Sequence, residues 1–388
     1  MNWILKTTSL LAVAVAMLVS CEKEPVKQQS GISVNVPDLA VAFDKNVIRN
    51  NGETAVLTAY YKGEDVSDKA QFFQILPGQS MPQLMSGREF SATKVGKYNF
   101  QVAYLTSTSA IVSVTVVDRE IPSRLEDPQA SNTSFVHRAF LNQHTGAGCG
   151  YCPGMSKLLK ETLVGEQKDK AVLAALRTYG GGEAGFAMIP NPSNAYPFLH
   201  IDYIDSYDFN RGTPAGLMER IDKRVVEPAA AGISANAEYD PESKSIAVRV
   251  TVKAAVKGEY NIGLWLMQDN YYKLQSDYLG IITGGTKDPY HYHDNCVRMA
   301  ESNYLGAHVG YPLGVLEVGQ SRDWVFVFDI KDAVEKPKAN GGWWETFKEE
   351  CLNDLHFAAF VSSPKNNVYT IVNAVDFKYN EKRTFDYK

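Results

Sequence analysis

The residues of this chain that could do chemistry start with Cys149-Gly150-Tyr151-Cys152-Pro153, where two thiols stand two residues apart. Behind them Met155, Leu158, Leu159 and Leu163 recur at helical spacing, so a helix is expected to begin near Pro153. At a helix N-terminus the unpaired amides and the macrodipole favour negative charge, so the first thiol should ionise below the ordinary pKa of about 8.5. A thiolate attacks disulfides, and Cys152, one turn along, can resolve a mixed disulfide formed on Cys149. Pro153 falls where a missing N–H costs nothing. Two other readings stay open: an inert structural disulfide, and half of a metal site. The second is the weakest, because structural zinc takes four ligands and the chain has no second C-x-x-C.

Two further cysteines, Cys296 and Cys351, fall in the last third of the chain. A bridge between them, closing a loop worth about 4 kcal/mol by chain entropy, is one expectation, and two unbridged thiols are the other. His291, His293, Asp294 and Cys296 are spaced like a metal cluster, but nothing in the sequence places a fourth ligand, and a hydrogen-bonded loop accounts for them better. No metal and no cofactor is expected.

The elements that must position these residues follow from periodicity. Phe135 to Leu141 reads as a strand, Asn142 to Gly148 as a loop, and Ala171 to Leu176 as a buried, parallel strand, which together form an α/β unit. An irregular stretch from about 180 to 210 follows. Its Tyr196, Phe198, Tyr203 and Tyr207 either cover the sheet, the favoured reading, or line a groove. After Gly212-Thr213-Pro214, Ala215 to Met218 reads as a further strand. Upstream, residues 34–118 alternate as short strands broken at Lys62-Gly63-Glu64-Asp65 and similar turns, which predicts a β-sandwich. Residues 119–133, with Pro122 and Asp127-Pro128, read as a linker. Beyond residue 231, Ile246, Val248, Val250 and Val252 alternate with Ala247, Arg249, Thr251 and Lys253, a half-buried strand that opens an expected second β-sandwich over 231–388. The fold class is thus multidomain α/β plus all-β, with the α/β unit over 134–230.

The first residues set the compartment. Lys6 precedes an unbroken apolar run from Leu10 to Val19, a signal-peptide pattern over residues 1–20 that falls well short of the roughly 20 residues a transmembrane helix needs. The ending Leu18-Val19-Ser20-Cys21 resembles the lipobox of bacterial lipoproteins. The resemblance implies cleavage before Cys21 and lipid on that cysteine, which becomes the membrane partner, with residues 21–33 as a polar tether. Hydrophobic content of 45%, charged content of 21% and a net charge of -5 are ordinary for a folded soluble body and give no nucleic-acid signal. Disulfides persist in such a compartment.

Strand, C-x-x-C, helix, strand and then an X-Pro resembles the thioredoxin-like arrangement, in which the proline is cis and lies against the C-x-x-C. The matching positions are Thr213 and Pro214. Gly150-Tyr151 and Gly212-Thr213-Pro214-Ala215 look like the corresponding residues of bacterial periplasmic disulfide isomerases. One departure stands out: where thioredoxins carry a buried acid, this chain has Gln143, with His144 the nearest titratable substitute, better read as a loop or core histidine. Residues 34–118 resemble bacterial immunoglobulin-like modules at Asp44-Lys45, Asn51-Gly52-Glu53 and Gly96-Lys97-Tyr98. Over roughly 134–388 the chain is similar to the Omp28-related lipoproteins of Bacteroidetes. That similarity rests on Thr145-Gly146, the C-x-x-C run, Gly212-Thr213-Pro214 before Glu219-Arg220, and Val372-Asn373-Ala374-Val375. These resemblances imply an outer-membrane lipoprotein, periplasmic or surface-facing. Its expected role is a thiol-disulfide oxidoreductase or isomerase acting on protein clients, with Cys149 as nucleophile and Cys152 resolving, or alternatively a non-catalytic surface protein.

Overall fold

Alternating apolar residues build most of this molecule, and the computed structural model is accordingly mostly β-sheet, arranged as several sheets in more than one folded unit. It describes residues 31–79, 81–177, 179, 195–330 and 349–388, the side chains of 349–351 excepted. Cys21, the expected signal segment and most of the expected tether lie outside the described residues, as does the side chain of Cys351.

Near the N-terminus two sheets face one another. One holds Leu39–Phe43 and Ala55–Tyr61, the other Val47–Arg49, Val112–Val117, Gly96–Tyr104 and Gln71–Ile75. Leu39, Leu57, Phe72, Phe100 and Val114 fill the space between them. Lys62 and Gly63 turn the chain tightly after Tyr61, both at positive φ, where glycine is at ease and lysine is not.

The second sandwich sets Ala231–Asp240, Ser245–Ala254 and Ser321–Asp329 against Gly258–Gln268, Leu355–Lys365 and Val368–Lys378. Its core includes Ile233, Val248, Val250, Leu264, Phe328, Phe357 and Phe377. Three expectations change here. The Ser245–Ala254 strand is buried on both faces, because residues 119–133 lie along its polar side instead of hanging as a loose linker: Arg249 Nε donates to Pro122 O at 2.6 Å and Asn236 Nδ2 to Ser123 O at 2.9 Å. Ile32 and Ser33, assigned to the tether, instead add a short antiparallel strand opposite Tyr369 and Val368.

The third change concerns the boundary at 230/231. Cys296–Glu301 pairs with Gly258–Gln268 on one side and reaches Ala171–Arg177 on the other, where Ala175 N donates to Asn295 O at 2.8 Å. The sheet therefore runs on, in one hydrogen-bonded path of nine strands with a tenth paired to its side, from the sandwich into the α/β unit. Parallel strands buried on both faces need such neighbours to satisfy their edges.

Candidate functional site

The α/β unit is built on Ala139–Thr145, a strand buried at every position and starting four residues later than the sequence suggested. It pairs in parallel with Ala171–Arg177 and antiparallel with Phe198–Ile201, which in turn pairs antiparallel with Asp205–Tyr207. The helix Cys152–Thr162 joins the first two strands, and the helix Pro214–Val225 follows the last. Met155, Leu158, Leu159, Leu217 and Ile221 pack these helices onto Leu141, Leu199 and Ile201.

Cys149 and Cys152 are joined, with S–S 2.09 Å and Cα atoms 5.4 Å apart. Tyr151 caps the helix by position and Cys152 opens it, so Cys149 stands in the turn ahead of the helix, its carbonyl accepting from Cys152 N at 3.1 Å. Pro153 occupies the first turn. The sulfur pair is closed off: Cys149 is 4% exposed and Cys152 1%.

Among the described residues, the segment lying directly on this loop comes from more than a hundred residues away. Ser276 N donates to Ala147 O at 2.7 Å and Tyr278 N to Gly150 O at 2.8 Å. The side-chain amide of Gln275 reaches Cys149 O at 2.9 Å, with Ala147 O at 3.2 Å and Gly146 O at 3.3 Å close by. The Tyr278 ring sits over Gly150 so closely that a Cβ there would meet it at 2.4 Å, and it touches the Tyr151 ring edge-on at 5.5 Å. Glycine at 150 is thus required by the neighbour, not by its own backbone.

The histidine cluster proves to be the frame of this strap. His291 Nδ1 accepts from Gln275 N at 3.0 Å, and His293 Nε2 donates to Lys273 O at 3.0 Å. Burial, and after it the charge of Arg177, lowers the His293 pKa to about 3, so that ring stays neutral. Asp294 Oδ1 accepts from Asn270 N at 3.2 Å, and the Cys296 sulfur lies 3.6 Å from His293 O. These side chains are used in hydrogen bonds, and no group of three metal-ligating residues forms among the described ones. The pairing of Cys296 with Cys351 falls outside the described residues.

The proline assignment needs correcting. Pro214 opens a helix, not a strand: Thr213 Oγ1 accepts from Gly216 N at 3.1 Å, the N-cap bond, and Pro214 takes the first helical position, where its fixed φ suits. Ala215 to Met218 are therefore helical. The cis X-Pro bond of the described chain is Tyr196–Pro197. Register places Phe198 opposite His144, so Pro197 sits at the end of the central strand that leads into the C-x-x-C loop. Tyr203 is buried and donates to His308 O at 2.9 Å, as a cover residue does.

Alternation along the central strand separates Gln143 from His144. Gln143 faces the C-x-x-C helix, its Nε2 3.5 Å from Ser156 Oγ. His144 points to the opposite face against Phe198 and His200, fully buried, and burial lowers its pKa to about 3. It cannot carry protons for the cysteines from there. A cleft of about 510 Å³ runs beside the helix, lined by Gln143, Ser156, Lys160, Arg177, Tyr290 and His293, and neither cysteine lines it. Gln275 and Tyr278 are the site residues that sequence reasoning missed. Nothing in Gln275-Ser276-Asp277-Tyr278-Leu279 marks a partner elsewhere in the chain.

No protein-family model matches the chain, and no curated protein matches it significantly. Among solved structures it is similar to HBP35 of Porphyromonas gingivalis at 16% identity, over 65% of this chain and 78% of that one, with a TM-score of 0.48. A β-glucosidase from Kluyveromyces marxianus aligns at 13% identity over 86% of this chain and 45% of that one, with a TM-score of 0.16. Both are too loose to assign function to this chain.

Proposed function

We propose that this chain is a lipid-anchored lipoprotein of the bacterial outer membrane, related to the Omp28-like group, whose thioredoxin-like unit is held in a closed, non-exchanging form. Cys21 carries the lipid, and the body stands in the periplasm or on the cell surface. The N-terminal sandwich is immunoglobulin-like and serves binding or structure. The order strand, helix, strand, two antiparallel strands, helix supports the thioredoxin-like reading of the α/β unit.

One observation carries the closed reading: Cys149, at 4% exposed, lies beneath a segment bonded to the carbonyls on either side of it. Exchange requires an incoming thiolate to approach one sulfur in line with the S–S bond, and a covered sulfur denies that approach. The non-catalytic reading is therefore preferred to an open oxidoreductase.

Native protein treated with dithiothreitol and then an alkylating agent should keep Cys149 and Cys152 unlabelled until denaturant is added. Labelling within minutes under native conditions, or ready reduction of insulin, would sink the reading. For the anchor, growth on an alkyne fatty acid should label the wild type and not Cys21→Ser.

A further inference from the structure

We infer that residues 273–279 form a built-in strap that occupies, in cis, the place of an extended polypeptide on the C-x-x-C loop, and that its detachment exposes Cys149 to thiol attack. The inference rests on the closed reading above and adds what closes the site and how it opens.

The strap is bound as an extended chain. Lys273, Gln275 and Asp277 are half-buried while Leu274, Ser276 and Tyr278 are exposed, the two-residue period of a strand lying on a surface. Its main-chain bonds with the loop go to Ala147 O and Gly150 O, the pattern by which a β-edge takes up any peptide regardless of sequence. Gln275 adds the specific latch, since one amide nitrogen faces the carbonyls of Gly146, Ala147 and Cys149.

The strap is also separable from the body. None of its side chains belongs to a hydrophobic core cluster, and Tyr278 is 71% exposed although its ring covers Gly150. Its ends are fixed independently. Tyr271 and Tyr272 pair with His293 and Tyr292 on one side, while on the other Asp288 accepts from Thr283 N and Gly284 N. A segment anchored at both ends and attached between them by hydrogen bonds can lift without unfolding the sheet.

With the strap lifted, a dithiothreitol thiolate attacks Cys149 Sγ, the S–S bond breaks, and Cys152 leaves as a thiolate that takes a proton. The second dithiothreitol thiol then attacks its own bound sulfur, closes the oxidised ring and releases Cys149. Two electrons have passed to the protein.

Two variants open the strap from opposite sides. Gln275→Ala with Tyr278→Ala weakens it directly. Gly150→Ala puts a Cβ where the Tyr278 ring lies, at a backbone conformation alanine accepts, and pushes the strap away from the other side. Each should raise the rate of dithiothreitol reduction, read by alkylation and mass spectrometry, about tenfold or more over wild type without urea. Adding Gly150→Ala to Tyr278→Ala should give no further gain, because the collision is already gone. The strap inference is overturned if folded variants reduce as slowly as wild type, or if any gain tracks urea and so reports global unfolding. A wild type that is itself reduced quickly would overturn the closed reading instead.

Discussion

Lys253 Nζ donates to Asp127 Oδ2 at 2.7 Å, with the lysine side chain only 2% exposed. The same ammonium reaches Ala130 O at 2.7 Å and lies over the rings of Phe135, Phe385 and Tyr387. A charge so placed pins residues 127–130 to the outer face of the second sandwich. Lys253→Met keeps the apolar stem but strands Asp127, so it should cost about 3 kcal/mol. Urea unfolding checks the magnitude, and limited proteolysis should find new cleavage between residues 119 and 133.

His356 predicts the alkaline behaviour. Burial works against its charge, but the carboxylates of Asp269, 3.2 Å from Nε2, and Asp376, hydrogen-bonded to Nδ1 at 2.8 Å, outweigh it and raise its pKa from 6.5 to about 10. The folded pKa lies above the unfolded one, so the stabilisation is complete below pH 6.5 and is lost as pH rises through about 10. Thermal midpoints should fall across that window in wild type, and His356→Gln should flatten the fall.

The two sandwiches are joined by a side chain acting as a peptide. Asn46 Nδ2 donates to Val325 O at 2.6 Å, and Asn46 Oδ1 accepts from Val325 N at 2.9 Å. Asn46→Asp removes the donor and sets a carboxylate against a carbonyl, so a loss of about 1–3 kcal/mol is expected. Small-angle scattering should show the N-terminal sandwich swinging away from the body. An unchanged profile would mean that the apolar contacts of Val47, Val117 and Val325 suffice.

Thr213 tests whether this position does more than cap a helix. Thr213→Ala should cost about 1 kcal/mol of stability through the lost bond to Gly216 N. Its disulfide should be reduced at the wild-type rate. A changed reduction rate at unchanged stability would restore Thr213 to the redox site.

Replacing both cysteines tests the disulfide as a staple. It spans a separation of only three residues, and so short a loop contributes about 2 kcal/mol by chain entropy. Cys149→Ala with Cys152→Ala should fold, with a melting temperature several degrees lower. Failure to fold would show that the bridge organises the loop in addition to closing it.

Local patterns carried most of the secondary structure. The alternation from Ile246 to Val252, the apolar run Ala171 to Leu176 and the helix behind Pro153 all appear in the fold, because each depends on neighbours within a few residues. At Gly212-Thr213-Pro214-Ala215 two local signals compete: Thr then Pro starts a helix as well as it precedes a strand, and capping by Thr213 decides for the helix.

The amino-acid sequence by itself determined the paired thiols, the helix that follows them and most of the strands, and it sets the expectation of a secretion signal ending at Cys21. Only the tertiary structure decided which X-Pro bond is cis at the end of the central strand, that residues 119–133 lie along a strand, and that Gln275 and Tyr278 lie on the thiol loop. The physical reason is that these are main-chain and edge contacts between distant segments. A carbonyl such as Gly150 O accepts from any amide that the fold brings within reach, and the one it receives, Tyr278 N, leaves no mark in the residues around either partner.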